Sequence, residues 1–103
     1  MSARPAKLPP EEVEQRASEL EGWTVRDGKL HCELEFPTFA EAFGFMASAA
    51  IFAQELDHHP DWSNSYNKVV IDLSSHDVKG ISERDFDLAG RMNALAAARS
   101  PRA

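Results

Sequence analysis

Hydrophobic and polar residues alternate most strictly at residues 30–36, which predicts a β-strand. The apolar members of this strand are expected to face a core, and they are Leu30, Cys32, Leu34 and Phe36. A partner strand is predicted at 23–25, because the pair Asp27-Gly28 that separates the two is typical of a hairpin turn. Alternation returns at 67–73, where the predicted buried residues are Val69, Ile71 and Leu73. The pattern thus predicts strands with one buried and one open face.

Two helices are predicted in the first part of the chain. The first covers about 10–20, with a proline in its first turn and acids behind it, where the helix dipole favours negative charge. The second begins after Thr38, which has the capping-box spacing to Glu41, and ends near Asp57. Its apolar residues cover about half of the helix surface, and its phenylalanines are expected to lie in the core. That apolar set is Phe39, Ala42, Phe43, Phe45, Met46, Ala49, Ala50, Phe52, Ala53 and Leu56.

A last helix is predicted after the turn at Lys79-Gly80, where Ser82 and Asp85 have the spacing of an N-terminal cap. Its apolar residues are Phe86, Leu88, Ala89, Met92, Leu95 and Ala96. The order of elements predicts an α+β fold, with an antiparallel sheet of three to four strands and two or three helices packed on one face. The other face or the strand edges would be open in a monomer, so we expect a homodimer or homotetramer.

The composition limits the classes of protein to consider. With 103 residues the chain forms one domain, predicted at 8–98 between flexible segments at 1–7 and 99–103. The formal net charge of -6 and the lack of a basic run argue against direct nucleic-acid binding. No stretch reaches the ~20 apolar residues of a membrane span. The single cysteine, Cys32, cannot form an internal disulfide and fits a reducing compartment, so we expect a cytoplasmic protein.

Histidines supply the candidate chemistry. His58 and His59 stand side by side where the long helix is expected to break before Pro60, and His76 comes at the end of a predicted strand. Element ends can converge on one pocket, and Trp62 with Pro60 would offer it an apolar wall. Carboxylates that could orient the imidazoles are Asp57, Asp61, Asp77 and Asp85. The fourth histidine, His31, is expected to be a solvated strand residue.

One extended pattern runs through these segments: His58-His59-Pro60-x-Trp62, then Tyr66-Asn67-x-Val69, then His76, then Gly80-Ile81-Ser82-x-x-Asp85. It closely resembles the pterin-4a-carbinolamine dehydratase family, whose animal members are also known as the dimerization cofactor of a homeodomain transcription factor. The resemblance follows the element order from about residue 8 to residue 98. The joint occurrence of the four blocks in the right order makes it specific.

The resemblance implies dehydration of 4a-hydroxytetrahydropterin to quinonoid dihydropterin, which recycles the cofactor of aromatic amino-acid hydroxylases. This reaction needs one proton given to the departing hydroxyl and one removed from the ring nitrogen, which suits groups that titrate near neutrality. By the family's pattern His58 and His76 would be the acid and base, and His59 would position the substrate. The implied substrate-binding residues are Asp57, Pro60, Trp62 and Asp85. No metal and no organic cofactor is implied.

One departure from the family's pattern is important. Members often have a glutamate three residues before the aspartate that precedes the histidine pair, and this chain has Gln54 there. Glu55 cannot simply replace it, because one residue along a helix turns a side chain by about 100°. An altered activity would follow if that glutamate tunes a histidine or contacts the pterin.

Several alternatives stay open at this point. The three histidines could instead bind zinc, although the i, i+4 helical pairing typical of such sites is absent. The protein could also be a non-catalytic interaction protein, a transcriptional coactivator or an assembly factor, on the same fold. Asp85 could serve only as a helix cap, and Asp57 could be a solvated acid at the end of a helix.

Overall fold

The computed structural model describes residues 6–99, without the side chain of Arg99, as three α-helices and four β-strands. The helices are α1 (Pro10–Ser18), α2 (Phe39–Leu56) and α3 (Glu83–Arg99), and the strands are β1 (Trp23–Arg26), β2 (Lys29–Glu35), β3 (Asp61–Ser65) and β4 (Lys68–Leu73). A short 3-10 helix, His76–Val78, follows β4. The α+β fold predicted from the sequence is confirmed. No helix among the described residues is long and apolar enough to cross a membrane.

The strands form one antiparallel sheet in the order β1-β2-β4-β3. The β1–β2 turn takes positive φ at both Asp27 (53°) and Gly28 (75°), as the Asp-Gly pair predicts. Strand β3 was not predicted, because its sequence DWSNS is rich in residues that favour turns. Backbone pairing with β4 across the Tyr66 turn, where φ is 52°, establishes β3 as an edge strand.

One face of the sheet carries the core. Cys32 pairs with Ile71 and Leu30 with Leu73, and all four side chains are buried. Burial raises the pKa of the Cys32 thiol to about 11, so the thiol stays protonated at neutral pH. The alternation predicted for β2 and β4 is therefore confirmed. Helices α1 and α2 contact this sheet through β1 and β4, and α3 packs against α2.

Helix α2 begins as predicted, with the Thr38 hydroxyl accepting a hydrogen bond from the backbone N–H of Glu41 at 3.1 Å. Phe45 is fully buried and its ring lies 5.3 Å from that of Phe36. The expectation that the helix's phenylalanines belong to the core is wrong for Phe39 and Phe43, which are 50% and 55% exposed. The fully buried stripe consists of Phe45 and three alanines, and Met46, Phe52 and Leu56 pack against the core at partly buried positions. Phe39 and Phe43 lie outside this face.

The open face of the sheet holds a charged cluster around His31. The ring is mostly shielded, and its Nδ1 and Nε2 lie 2.8 Å from Asp72 and 2.9 Å from Glu33. Hydrogen bonding to Asp72, then to Glu33, raises the pKa of His31 against the effects of burial and of the nearby charge of Arg26. The expectation of a solvated histidine is therefore wrong, since β4 brings Asp72 directly opposite His31.

The N-terminal segment is attached to the loop before α3. The backbone N–H of Leu8 donates to the carbonyl of Ile81 at 2.9 Å, and Lys7 forms a β-bridge with Ser82. Most of the predicted flexible segments, residues 1–5 and 100–103, lies outside the described residues. The division into one domain with two flexible ends stays a prediction.

We expect Phe45→Ala to lower the free energy of unfolding by about 3–5 kcal/mol, because it empties a fully buried ring position. Phe43→Ala removes the same atoms from the same helix at a half-exposed position, and should cost less than about 1 kcal/mol. Denaturant unfolding at low protein concentration measures both values. Equal losses in the two variants would contradict the assignment of the buried stripe.

His31 should make the stability of the protein depend on pH. Its pKa is raised in the folded chain, so its stabilising contribution is complete below the ordinary value and is lost as the pH rises through the raised value. The difference in unfolding free energy between wild type and His31→Gln should therefore be largest below the ordinary pKa of about 6.5 and shrink as the pH rises above it. Asp72→Asn removes the main cause and should flatten this dependence. A difference that stays constant with pH in the wild-type background would contradict the role of the cluster.

Candidate active site

A cavity of about 370 Å³ lies where α2 ends, β3 begins and the 3-10 helix passes the start of α3. Its wall contains all three histidines singled out from the sequence. The lining residues are Asp57, His58, His59, Pro60, Asp61, His76, Asp77 and Arg84. Side chains from three separate stretches of chain therefore surround one space.

The end of α2 determines where His58 lies. Asp57 adopts a left-handed conformation with φ of 51°, and its N–H donates to the carbonyl of Gln54 at 3.1 Å. The N–H of His58 donates to the carbonyl of Ala53 at 3.0 Å. These two hydrogen bonds form a Schellman motif, in which aspartate takes the position that glycine usually occupies. The motif turns the chain sharply and directs residues 58–60 toward α3.

His58 is 6% exposed and its Nε2 hydrogen-bonds to Oδ1 of Asp85, which is fully buried. The other carboxylate oxygen of Asp85, Oδ2, accepts from the Ser75 hydroxyl at 2.8 Å and from the Ser82 backbone N–H at 2.9 Å. The two serine hydroxyl oxygens are 2.6 Å apart. Asp85 therefore caps α3 and also contacts His58, so its contacts are not limited to those of a helix cap.

His59 is exposed, and its Nε2 lies 3.2 Å from Oε1 of Gln54 on the last turn of α2. Gln54, the departure from the family's pattern noted in the sequence, is thus in direct contact with the second histidine. A glutamine presents a neutral oxygen here, whereas the usual glutamate would present a charge.

His76 is exposed and begins the 3-10 helix, three residues after β4 ends at Leu73, and so does not lie at the end of the strand as predicted. The neighbouring Asp77 is held by Nη2 of Arg84, which lies 2.7 Å from each of its carboxylate oxygens. Sequence reasoning missed Arg84. Arg84 lies in the first turn of α3, where a cation opposes the helix dipole. This unfavourable position is the signal in the sequence that could have pointed to a role for Arg84.

Two of the predicted substrate-binding residues do not line the cavity. Trp62 is half-buried on the inward face of β3, opposite Ile71, and packs against the core. Asp85 lies behind His58. Asp57 and Pro60 do line the cavity, so the structure brings these two together with the three histidines.

The cavity combines imidazoles, carboxylates and a guanidinium, which suits proton transfer on a polar ligand. Across residues 6–99 no three or more His, Cys, Asp or Glu side chains are grouped so that they could hold a metal ion. The geometry therefore gives no support to the zinc alternative.

A family model described as pterin 4 alpha carbinolamine dehydratase matches residues 6–95. The chain belongs to this family. A Solibacter usitatus member named "Putative pterin-4-alpha-carbinolamine dehydratase" is 48% identical over 91 residues, which cover 88% of this chain and 96% of that protein. A Sinorhizobium fredii protein of the same name is 45% identical over 100 residues, 95% of each chain.

Two solved structures agree with the fold described above. A Brucella melitensis transcriptional coactivator/pterin dehydratase superposes with a TM-score of 0.84 at 41% identity, over 87% of this chain and 98% of that one. A pterin dehydratase-like protein identified as a RuBisCO assembly factor in the alpha-carboxysome gives a TM-score of 0.61 at 22% identity, over 77% of this chain and 89% of that one. The second likeness concerns the fold alone.

Proposed function

We propose that the protein dehydrates 4a-hydroxytetrahydropterin to quinonoid dihydropterin by general acid/base catalysis, as part of tetrahydropterin recycling. The observation that carries the proposal is the convergence of His58, His59 and His76 on one cavity in a chain of the dehydratase family. The names of the 48% and 45% identical relatives agree with this reaction. A link to an aromatic amino-acid hydroxylase and a cytoplasmic location complete the proposal.

The chemistry assigns different tasks to the three histidines. Loss of water breaks the C4a–O bond, one imidazole gives a proton to the leaving hydroxyl, and another accepts the proton of the ring nitrogen. We assign these two transfers to His58 and His76, whose segments approach the cavity from different elements. His59, held by Gln54, would position the pterin. No metal or organic cofactor is needed for these steps.

The remaining candidate residues would shape the binding site. Asp57 and Pro60 line the cavity and would contact the pterin. Trp62 follows the lining residue Asp61 in β3, and it would support the cavity wall from the core side. Asp85 would act through His58.

A non-catalytic role with a protein partner is the second candidate. It is favoured by the 41% identical Brucella melitensis structure, which is described as a transcriptional coactivator as well as a pterin dehydratase. Exposed apolar side chains on α2, including Phe43 and Ile51, would give such a role a contact surface.

We also propose that the protein forms a homodimer or homotetramer through this outer surface of α2. Phe39, Phe43 and Ile51 are all at least half exposed in the single chain, which is costly for large apolar groups in water. Burial against a second copy would remove that cost.

The dehydratase proposal is tested with purified protein and enzymatically generated 4a-hydroxytetrahydropterin. Wild type should speed the loss of water, and His58→Ala and His76→Ala should each lower the rate severalfold or more, since each removes one proton-transfer group. His31→Gln replaces a histidine outside the cavity and should keep the wild-type rate. A wild-type rate equal to that of the buffer reaction would reject the enzyme and favour the partner role.

The oligomer proposal is tested by light scattering on wild type and Phe43→Glu. Wild type should have a mass two or four times that of the chain, and the charge placed on the outer surface of α2 should shift it toward the monomer. Gln15→Glu adds the same charge on the exposed side of α1 and should leave the mass unchanged. A monomeric wild type, or an unchanged mass in Phe43→Glu, would contradict the proposal.

A further inference from the structure

Asp85 accepts hydrogen bonds where water has no access. The serines that bond to it, Ser75 and Ser82, are 1% and 0% exposed, and Asp85 itself is 0% exposed. Oδ2 receives the Ser75 hydroxyl and the Ser82 backbone N–H, and Oδ1 faces Nε2 of His58. A buried carboxylate requires such donors, because it has lost its hydration.

The direction of each hydrogen bond between Asp85, Ser75 and Ser82 follows from counting the protons that each group can donate. The single hydroxyl proton of Ser75 goes to Asp85, so the donor in the 2.6 Å contact between the two hydroxyls is Ser82. The Ser82 oxygen in turn accepts from the backbone N–H of Arg84 at 3.3 Å. The hydrogen bonds therefore run in one direction, from Arg84 to Ser82, from Ser82 to Ser75 and from Ser75 to Asp85. Oδ2 of Asp85 acts only as an acceptor.

This order determines which nitrogen of His58 carries the proton. Oδ2 accepts from two donors, so the Asp85 carboxylate acts as an acceptor, and Nε2 of His58 is the donor to Oδ1. The proton between Oδ1 and Nε2 therefore belongs to the imidazole. In the neutral ring Nδ1 is then unprotonated, and no hydrogen bond to it is found within residues 6–99.

We infer that Ser75 and Ser82 are positioning residues for His58. They hold the Asp85 carboxylate in one orientation, Asp85 fixes His58 in the Nε2–H tautomer, and Nδ1 becomes the atom that exchanges a proton in the cavity. The catalytic part of this inference rests on the proposed dehydratase function, whereas the tautomer does not.

The experiment is nitrogen NMR of the imidazoles in ¹⁵N-histidine-labelled protein, with His58 assigned by its absence in His58→Gln. Neutral His58 in wild type should show the Nε2–H tautomer. In Asp85→Asn the two donors should hold the amide oxygen at the Oδ2 position, so the amide NH2 faces His58 and reverses the tautomer to Nδ1–H. The dehydratase rate of Asp85→Asn should fall by about 100-fold or more, as expected when the exchanging nitrogen is the wrong one.

Ser75→Ala provides a second test that is independent of whether Asp85→Asn folds. It should lower kcat by about threefold to tenfold, the value of one hydrogen bond, with KM unchanged. Ser75→Thr keeps the hydroxyl and should restore kcat. A wild-type Nδ1–H tautomer, or a wild-type kcat in Ser75→Ala, would overturn the inference while leaving the dehydratase proposal standing. An Nε2–H tautomer in a protein without dehydratase activity would instead reject the proposed function and keep the tautomer assignment.

Discussion

The carboxylate of Asp85 is the constraint on which the rest of this molecule depends. A charge buried this completely is stable only if its oxygens are satisfied by donors, and those donors come from three different parts of the chain. Ser75 follows the central strand β4, Ser82 precedes α3, and His58 follows α2. The sheet and both long helices must therefore be in place before the group is satisfied. The hydrogen bonds that stabilise the buried Asp85 are, for this reason, the same ones that determine the geometry of the site.

Helix termini make the arrangement electrostatically consistent. Asp85 lies in the first turn of α3, where the positive end of the helix dipole stabilises a negative charge. His58 lies just beyond the last turn of α2, at the negative end of that helix dipole. The packing of α2 against α3 brings these two ends together. The same geometry leaves His59 and His76 exposed on the solvent side of the cavity, in an environment different from that of His58.

Sequence reasoning succeeded where the information is local and failed where it depends on partners distant in the chain. The alternation in β2, the Thr38 cap and the Asp27-Gly28 turn are properties of a few neighbouring residues, and all are confirmed. Strand β3 has little local preference and exists because β4 pairs with it. The shielding of His31 by Asp72, and the exposure of Phe43, likewise depend on which surfaces the fold brings together. The histidines of the cavity were found because their pattern is specific, whereas Ser75 and Arg84 resemble ordinary polar residues until the tertiary contacts are known.

The attachment of Leu8 to Ile81 extends the site to the far end of the sequence. This hydrogen bond and the Lys7–Ser82 bridge hold the loop whose next backbone N–H, that of Ser82, binds Asp85. Local opening of residues 7 and 8 would free the backbone on both sides of that N–H, without unfolding the core. The rigidity of the imidazole in the cavity is therefore linked to a pairing between two residues more than seventy positions apart in sequence, so that hydrogen exchange at the Leu8 amide reports on the order of the site.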